Sequence, residues 1–255
     1  MGLTRLAMAG VGRRGTPRGP RPRRAAAAIA IAVAAVAGTL AGSAPAHAAA
    51  PAPAPPRFPV PVSVGQAQQV ISVQARGTYA TVIAWQKSGN IWLRRYSTTA
   101  ARVGSHGITD GATRKQGTYT TPTGTYTLTQ GFGVAANPGT RMPYHRVTAA
   151  DWWVEDPSSR YYNRMRTAAQ GGFPLTEAGV HGSEHLVNYP VQYRNVLVIN
   201  FNMSPAVPGR GAGIFLHALG PKAGPTAGCV AIPQNVLTDV LRWADPAQHP
   251  VIGIG

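Results

Sequence analysis

The sequence predicts a mainly β domain of mixed sheets with a short helix near its end, and three observations carry that expectation. Val70–Val73 and Tyr79–Trp85 are rich in β-branched and aromatic residues, the composition of strands. Val196-Leu197-Val198-Ile199 is a continuous apolar run, as expected of a strand buried on both faces. The clearest helical periodicity is confined to Pro233–Ala244, where Val236, Leu237, Val240, Leu241 and Ala244 fall on one face.

In chain order, residues 1–48 read as a secretory signal. Seven Arg and no acid precede Ala25, a small and apolar stretch runs to about Ala41, and Ala46-His47-Ala48 supplies an A-x-A cleavage site. The competing reading is a retained membrane anchor, for which an Ala-dominated stretch of this length is marginal. Residues 49–64 are a Pro/Ala linker, expected to be extended and to act as a spacer. The domain then spans 65–255. Lys87-Ser88-Gly89-Asn90 is a turn, and Ile91-Trp92-Leu93 opens the returning strand of a hairpin. Thr118–Thr129 alternates, with a turn expected at Thr121-Pro122-Thr123-Gly124. Asp151–Gln170 reads as a long surface excursion with little regular structure. Gly213–His217 is a further strand. Pro233 suits a first-turn position, and Asp245-Pro246 stops the helix.

The 255 residues carry 24 Lys+Arg and 8 Asp+Glu. Without the seven N-terminal Arg, 17 basic residues face 8 acids, a balance of +9. The charge is spread over Arg94-Arg95, Arg114-Lys115, Arg160, Arg164 and Arg166, with no compact basic motif or recognition helix, so nucleic acid is not the expected partner. Non-specific attraction to anionic wall polymers is the better reading for an exported chain.

A single Cys excludes an intrachain disulfide framework and a thiolate zinc cluster. The bland reading of Cys229 is a small buried hydrophobe. Its setting, Pro225-Thr226-Ala227-Gly228-Cys229 followed by a helix, places the sulfur near a helix N-terminus, which favours a thiolate. His217 stands twelve residues earlier at a strand end, joined by a Gly/Pro loop, and an imidazole beside a thiol can take its proton and later protonate a leaving amine. The pair favours a nucleophile over a structural Cys.

Phe215-Leu216-His217, the loop, and Thr226-Ala227-Gly228-Cys229-Val230 resemble the active-site signature of the L,D-transpeptidase catalytic domain. Thr121-Pro122-Thr123-Gly124-Thr125-Tyr126 resembles that family's T-P-x-G-x-[FY] strand, and Arg141-Met142-Pro143-Tyr144 its M-P-[YF] segment. The three blocks come in the family's order, and the resemblance covers roughly Val70 to Gly255. Two departures stand out: Ala227 replaces the His before Gly-Cys, and Ala218 replaces the Gly after the first His. The resemblance implies acyl transfer on peptidoglycan stem peptides, with Cys229 as nucleophile, His217 as base and acid, and the Gly228 backbone as oxyanion donor. Tyr144, Trp153, His181 and Thr226 are candidate substrate contacts. A backbone carbonyl near Ala218 is the expected partner orienting His217. Alternatives are an L,D-carboxypeptidase, with water as acceptor, and a catalytically idle wall-binding module of the same fold. No cofactor or metal is expected, and a monomer is.

One motif competes. His181-Gly182-Ser183-Glu184-His185 matches H-x-x-E-H, a zinc hydrolase pattern that needs a helix to bring both His to one face. Gly179 and Gly182 weaken that helix, and a structural or substrate-groove role is the expected one. Trp152-Trp153 and Tyr161-Tyr162 read equally as lid packing or as a wall contacting substrate.

Overall fold

The computed structural model describes residues 57–255. The expected export signal and the first part of the expected linker, 1–56, lie outside the described residues. The remainder of the linker is not a free spacer. Phe58 packs edge-on against Trp85 and Trp92 with ring centroids 5.6 and 5.2 Å apart, Val60 is buried, and Val62 and Val64 pack against the cluster that contains Val70, Ile83 and Val251. The boundary expected at residue 65 therefore moves earlier, because alternate side chains of the extended segment find an apolar face to cover.

The first three strands are β1 (Gln69–Arg76), β2 (Tyr79–Ser88) and β3 (Ile91–Arg102). The β2–β3 hairpin turns on Gly89-Asn90, with Gly89 at φ +57°, a conformation glycine adopts without steric cost. After the short β4 (Ile108–Asp110) comes β5 (Thr121–Gly133), the longest strand. The turn expected at Thr121–Gly124 is absent. Pro122 sits opposite Thr109 of β4, a short parallel neighbour at the sheet's edge, where a missing N–H is tolerated.

β6 (Tyr144–Arg146) pairs with β5, while β7 (Asp151–Val154), β8 (Arg164–Thr167) and β9 (Glu184–His185) form a separate three-stranded sheet in the order β8-β7-β9. The excursion expected over 151–170 is thus ordered. All four β7 residues are buried, and Tyr162 and Asn163 are buried beside them. Local polarity had suggested a surface loop; burial of paired Trp side chains outweighs it.

β10 (Val196–Ile199), β11 (Phe215–Ala218), β12 (Val230–Ile232), α1 (Gln234–Trp243) and β13 (Val251–Ile254) complete the domain. The large sheet runs β10-β11-β12-β3-β2-β1-β13-β5-β4, and β10 also pairs with β5, so its path closes on itself. One core gathers Ile71, Leu128, Leu197, Leu216, Ile232 and the buried face of α1, Leu237, Val240 and Leu241. A second, around Phe132, Trp153, Tyr193 and Phe215, joins the large sheet to the small one and contains Cys229. Pro233 is the N-cap of α1 rather than its first helical residue.

Candidate active site

β11 and β12 are parallel neighbours, with Leu216 opposite Val230 and His217 opposite Ala231. Continuing that register places Cys229 opposite Phe215, two residues from His217 and on the same face. Strands about 4.8 Å apart that rise ~3.3 Å per residue separate such Cβ atoms by about 8 Å. His217, Cys229 and Ala231 line one cavity of about 530 Å³, closed on one side by the 220–227 loop.

Thr226 holds the Cys in place. Its amide and carbonyl are tied to Val103 and Ser105, its hydroxyl donates to the Cys229 carbonyl at 2.7 Å, and the same oxygen accepts from the Gly228 amide at 3.1 Å. Thr121, first residue of the T-P-x-G block, donates to that carbonyl at 3.2 Å. Gly228 has φ +146°, and a Cβ there would lie 2.8 Å from the Arg114 guanidinium and 3.0 Å from the Thr120 carbonyl, so the position demands glycine.

His217 Nδ1 lies 2.7 Å from the Ala218 carbonyl, the orienting partner expected from the sequence. A carbonyl only accepts, so Nδ1 carries the proton and Nε2 is left as the basic nitrogen. The thiol donates to the Gly213 carbonyl at 3.2 Å, and the Phe215 amide donates to Sγ at 3.3 Å. No hydrogen bond joins His217 to Cys229.

Three expectations are corrected here. Cys229 is not a low-pKa thiol at a helix N-terminus: the strand β12 separates it from α1, and burial, reinforced by the charge of Glu184, pushes the thiol upward. Burial also pushes His217 down to about 4, against the pull of its bond to Ala218, so the resting pair is neutral. The Gly228 amide is engaged by Thr226 and is not a free oxyanion donor. Arg114, counted as surface charge, is buried, its Nε donating to the Thr120 carbonyl and Nη1 to the Arg210 carbonyl.

Of the candidate substrate contacts, only Thr226 lines the cavity. Tyr144 packs over Gly131 and Gly133, its hydroxyl donating to the Ala135 carbonyl and accepting from Asn195. Trp153 is 1% exposed and packs against Phe215 and Phe132, donating to Asn163 at 2.9 Å; it supports the site from within. His181 is bound to Asp156 at 2.7 Å. The H-x-x-E-H residues form no helix. In β9 the strand pleat sends neighbours to opposite faces: His185 stacks on Trp152 at 4.3 Å, while Glu184, opposite Trp153, lines the cavity.

The sequence reading gave residues 181–185 a structural or substrate-groove role without singling out Glu184, and it missed Tyr193 and Glu155. Strand alternation across Glu184-His185 was the one available signal for Glu184. Tyr193 donates to Glu184 Oε2 at 2.7 Å and packs edge-on against the His217 ring at 5.6 Å. The departures from the family signature sit differently. The Ala218 side chain packs in the main core, away from the cavity, whereas Ala227 lines it and widens the space a His would fill.

The titration of His217 has a measurable consequence. Below about pH 6.5 the unfolded chain protonates this imidazole while the fold keeps it neutral down to about 4, so stability falls as pH falls through that window. In urea unfolding, the stability lost between pH 7 and about pH 4.5 should be smaller in His217→Gln than in wild type by roughly 2–3 kcal/mol. Equal losses in both proteins would show that His217 titrates normally.

A β domain with a lone thiol and a neutral imidazole on one face of a cavity defines a thiol-bearing site with a base at hand. Residues 68–252 match the YkuD family, described as the L,D-transpeptidase catalytic domain. The chain belongs to this family. Among solved structures it is similar to Bd1075 of Bdellovibrio bacteriovorus, at 15% identity over 74% of this chain and 48% of that one, with a TM-score of 0.37. It is also similar to a mutant of the helical cell shape determining protein Pgp2 of Campylobacter jejuni, at 13% identity over 74% of this chain and 47% of that one, with a TM-score of 0.36. The chain spans about half the length of each. A search of the curated proteins returned no match.

Proposed function

We propose that the protein is an exported cysteine acyltransferase that cleaves the terminal D-alanine from peptidoglycan tetrapeptide stems and forms crosslinks between third residues. The observation that carries this reading is the placement of Cys229 and His217 on one face of a single cavity in a chain of this family. His217 Nε2 takes the thiol proton as Sγ attacks the carbonyl of the third stem residue. The Cys229 amide, which has no acceptor among the described residues, faces the developing oxyanion as donor. Imidazolium then protonates the departing D-alanine amine, the C–N bond breaks, and a thioester remains. An amine of a neighbouring stem resolves it. Starting from a neutral pair suits this sequence, because ionisation is deferred until substrate closes the cavity and supplies the oxyanion contact.

The protein acts outside the cytoplasmic membrane as a monomer, drawn to anionic wall polymers by its mature charge and making no use of nucleic acid, metal or cofactor. Among the described residues no helix is long and apolar enough to cross a membrane. Intact-mass analysis after incubation with a tetrapeptide-stem muropeptide tests the reading. Loss of D-alanine with an acyl-enzyme and a crosslinked dimer is the expected result. Tripeptide without dimer would assign water as acceptor, and an unchanged muropeptide with unmodified protein would make this an idle wall-binding module.

A further inference from the structure

The cavity of Cys229 and His217 is walled by a carboxyl group with no part in thiol activation. Glu184 is held by one bond, from Tyr193 to Oε2, and Oε1 has no partner among the described residues. Glu155 lies next to it: its carboxyl group sits against Gly213, whose carbonyl accepts from Cys229, and neither of its oxygens has a hydrogen bond among the described residues. Arg114, whose charge acts on Glu155, is bound to backbone carbonyls and makes no ion pair with either Glu. Negative charge beside the sulfur disfavours the thiolate, and the half-buried Glu184 and Glu155 each give up part of their hydration without gaining a counter-ion among the described residues. Both facts are accounted for if the ligand brings the missing cation.

We propose that Glu184 is the acceptor-amine site of the transfer reaction, binding the ammonium of an incoming primary amine through Oε1 and taking its proton. The inference rests on Cys229 forming a thioester. The ammonium gives one proton to the Glu184 carboxylate. The freed amine attacks the thioester carbonyl, the C–N bond forms, and the C–S bond breaks. The second proton lost by nitrogen passes to His217 and on to the departing Sγ. Thioester and ammonium become amide and thiol, with one proton left on Glu184.

The surroundings suit that task. Burial pushes Glu184 up to about 7, opposed by the Tyr193 hydrogen bond and reinforced by Glu177. The other groups around it are Tyr189, Glu155, Arg114 and, across the cavity, Cys229, His217 and Lys222. A carboxylate with that proton affinity accepts a proton near neutrality, and positioned bases of this kind contribute about 10²–10⁴-fold.

The test uses the full chain, N-acetylglycine phenyl thioester as an acyl donor that needs no stem recognition, and either diaminopimelate or hydroxylamine as acceptor, the latter being neutral at pH 7. In Glu184→Gln, acylation of Cys229 should become faster at pH 7, because the like charge is gone. Aminolysis by diaminopimelate should fall about 100-fold and lose its rise near pH 7, while hydroxylamine should react at similar rates in both proteins. Tyr193→Phe, which removes only the hydrogen bond to Glu184, should shift both steps in the same directions by less. A Glu184→Gln variant that slows both steps equally, or neither, overturns the acceptor site while leaving the thioester reading intact. Failure of wild-type Cys229 to acylate overturns the thioester reading and the acceptor site with it.

Discussion

Replacing Cys229 with alanine should abolish both D-alanine release and crosslink formation from tetrapeptide stems, to below detection by mass spectrometry. No other thiol exists in the chain to substitute for it, and the proposed acyl transfer runs through a thioester on this sulfur. Turnover by purified Cys229→Ala at even a few per cent of wild type would sink the mechanism. The same variant carries a stability signature. The thiol is buried beside Phe215, so its loss should cost about 1 kcal/mol near pH 7. Above about pH 8.5 the unfolded chain ionises the thiol and the fold does not, so wild-type stability falls as pH rises and that of Cys229→Ala is spared this loss. The gap between the two proteins should close or reverse in alkaline urea unfolding.

The second large effect belongs to Trp153. A wall that contacts substrate would change KM on truncation and leave stability nearly untouched. The buried indole instead stacks on Phe132 at 6.0 Å and meets Phe215 edge-on at 4.8 Å, directly behind the strand that positions Cys229. Trp153→Ala should cost about 3–5 kcal/mol. That corresponds to a fall in Tm on the order of 10 °C for a domain of this size. Activity at low temperature should also drop through kcat, because Phe215 donates its amide to Sγ and lies in the space the indole vacates. A Tm within 2 °C or so of wild type, with a raised KM for stem peptide, would return Trp153 to the substrate wall.

Much of the strand framework was legible because its signals are local. β1, β2, β10 and β11 announce themselves through apolar and β-branched runs, and α1 through its period, and each lies within three residues of its expected bounds. Cys229 and His217 were legible for a similar reason: thirteen residues of chain hold both, together with the Gly that φ +146° requires. The expected thiolate was not, because burial depends on what packs above the pair. A helix four residues downstream looked close in sequence, but three residues of extended strand carried its N-terminus away. The region 151–170 was misread because charged and polar residues alternate with aromatics there, and only the partner surface decides which set faces inward.

The sequence by itself determined the β class, the single nucleophile candidate, its neighbouring imidazole and the family, since each rests on residue types at short spacing. Only the tertiary structure decided the protonation of that pair and the company it keeps. Glu184 reaches the cavity because β9 pairs with β7 and Trp153 seats that small sheet on Phe215; Arg114 lies behind Gly228 because its fork reaches the Thr120 and Arg210 carbonyls. Trp153 and Phe215 are 62 residues apart in the chain, and Arg114 and Arg210 are 96 apart. Burial and charge act through space, so the groups that set the chemistry at Cys229 become neighbours only once the two sheets have packed.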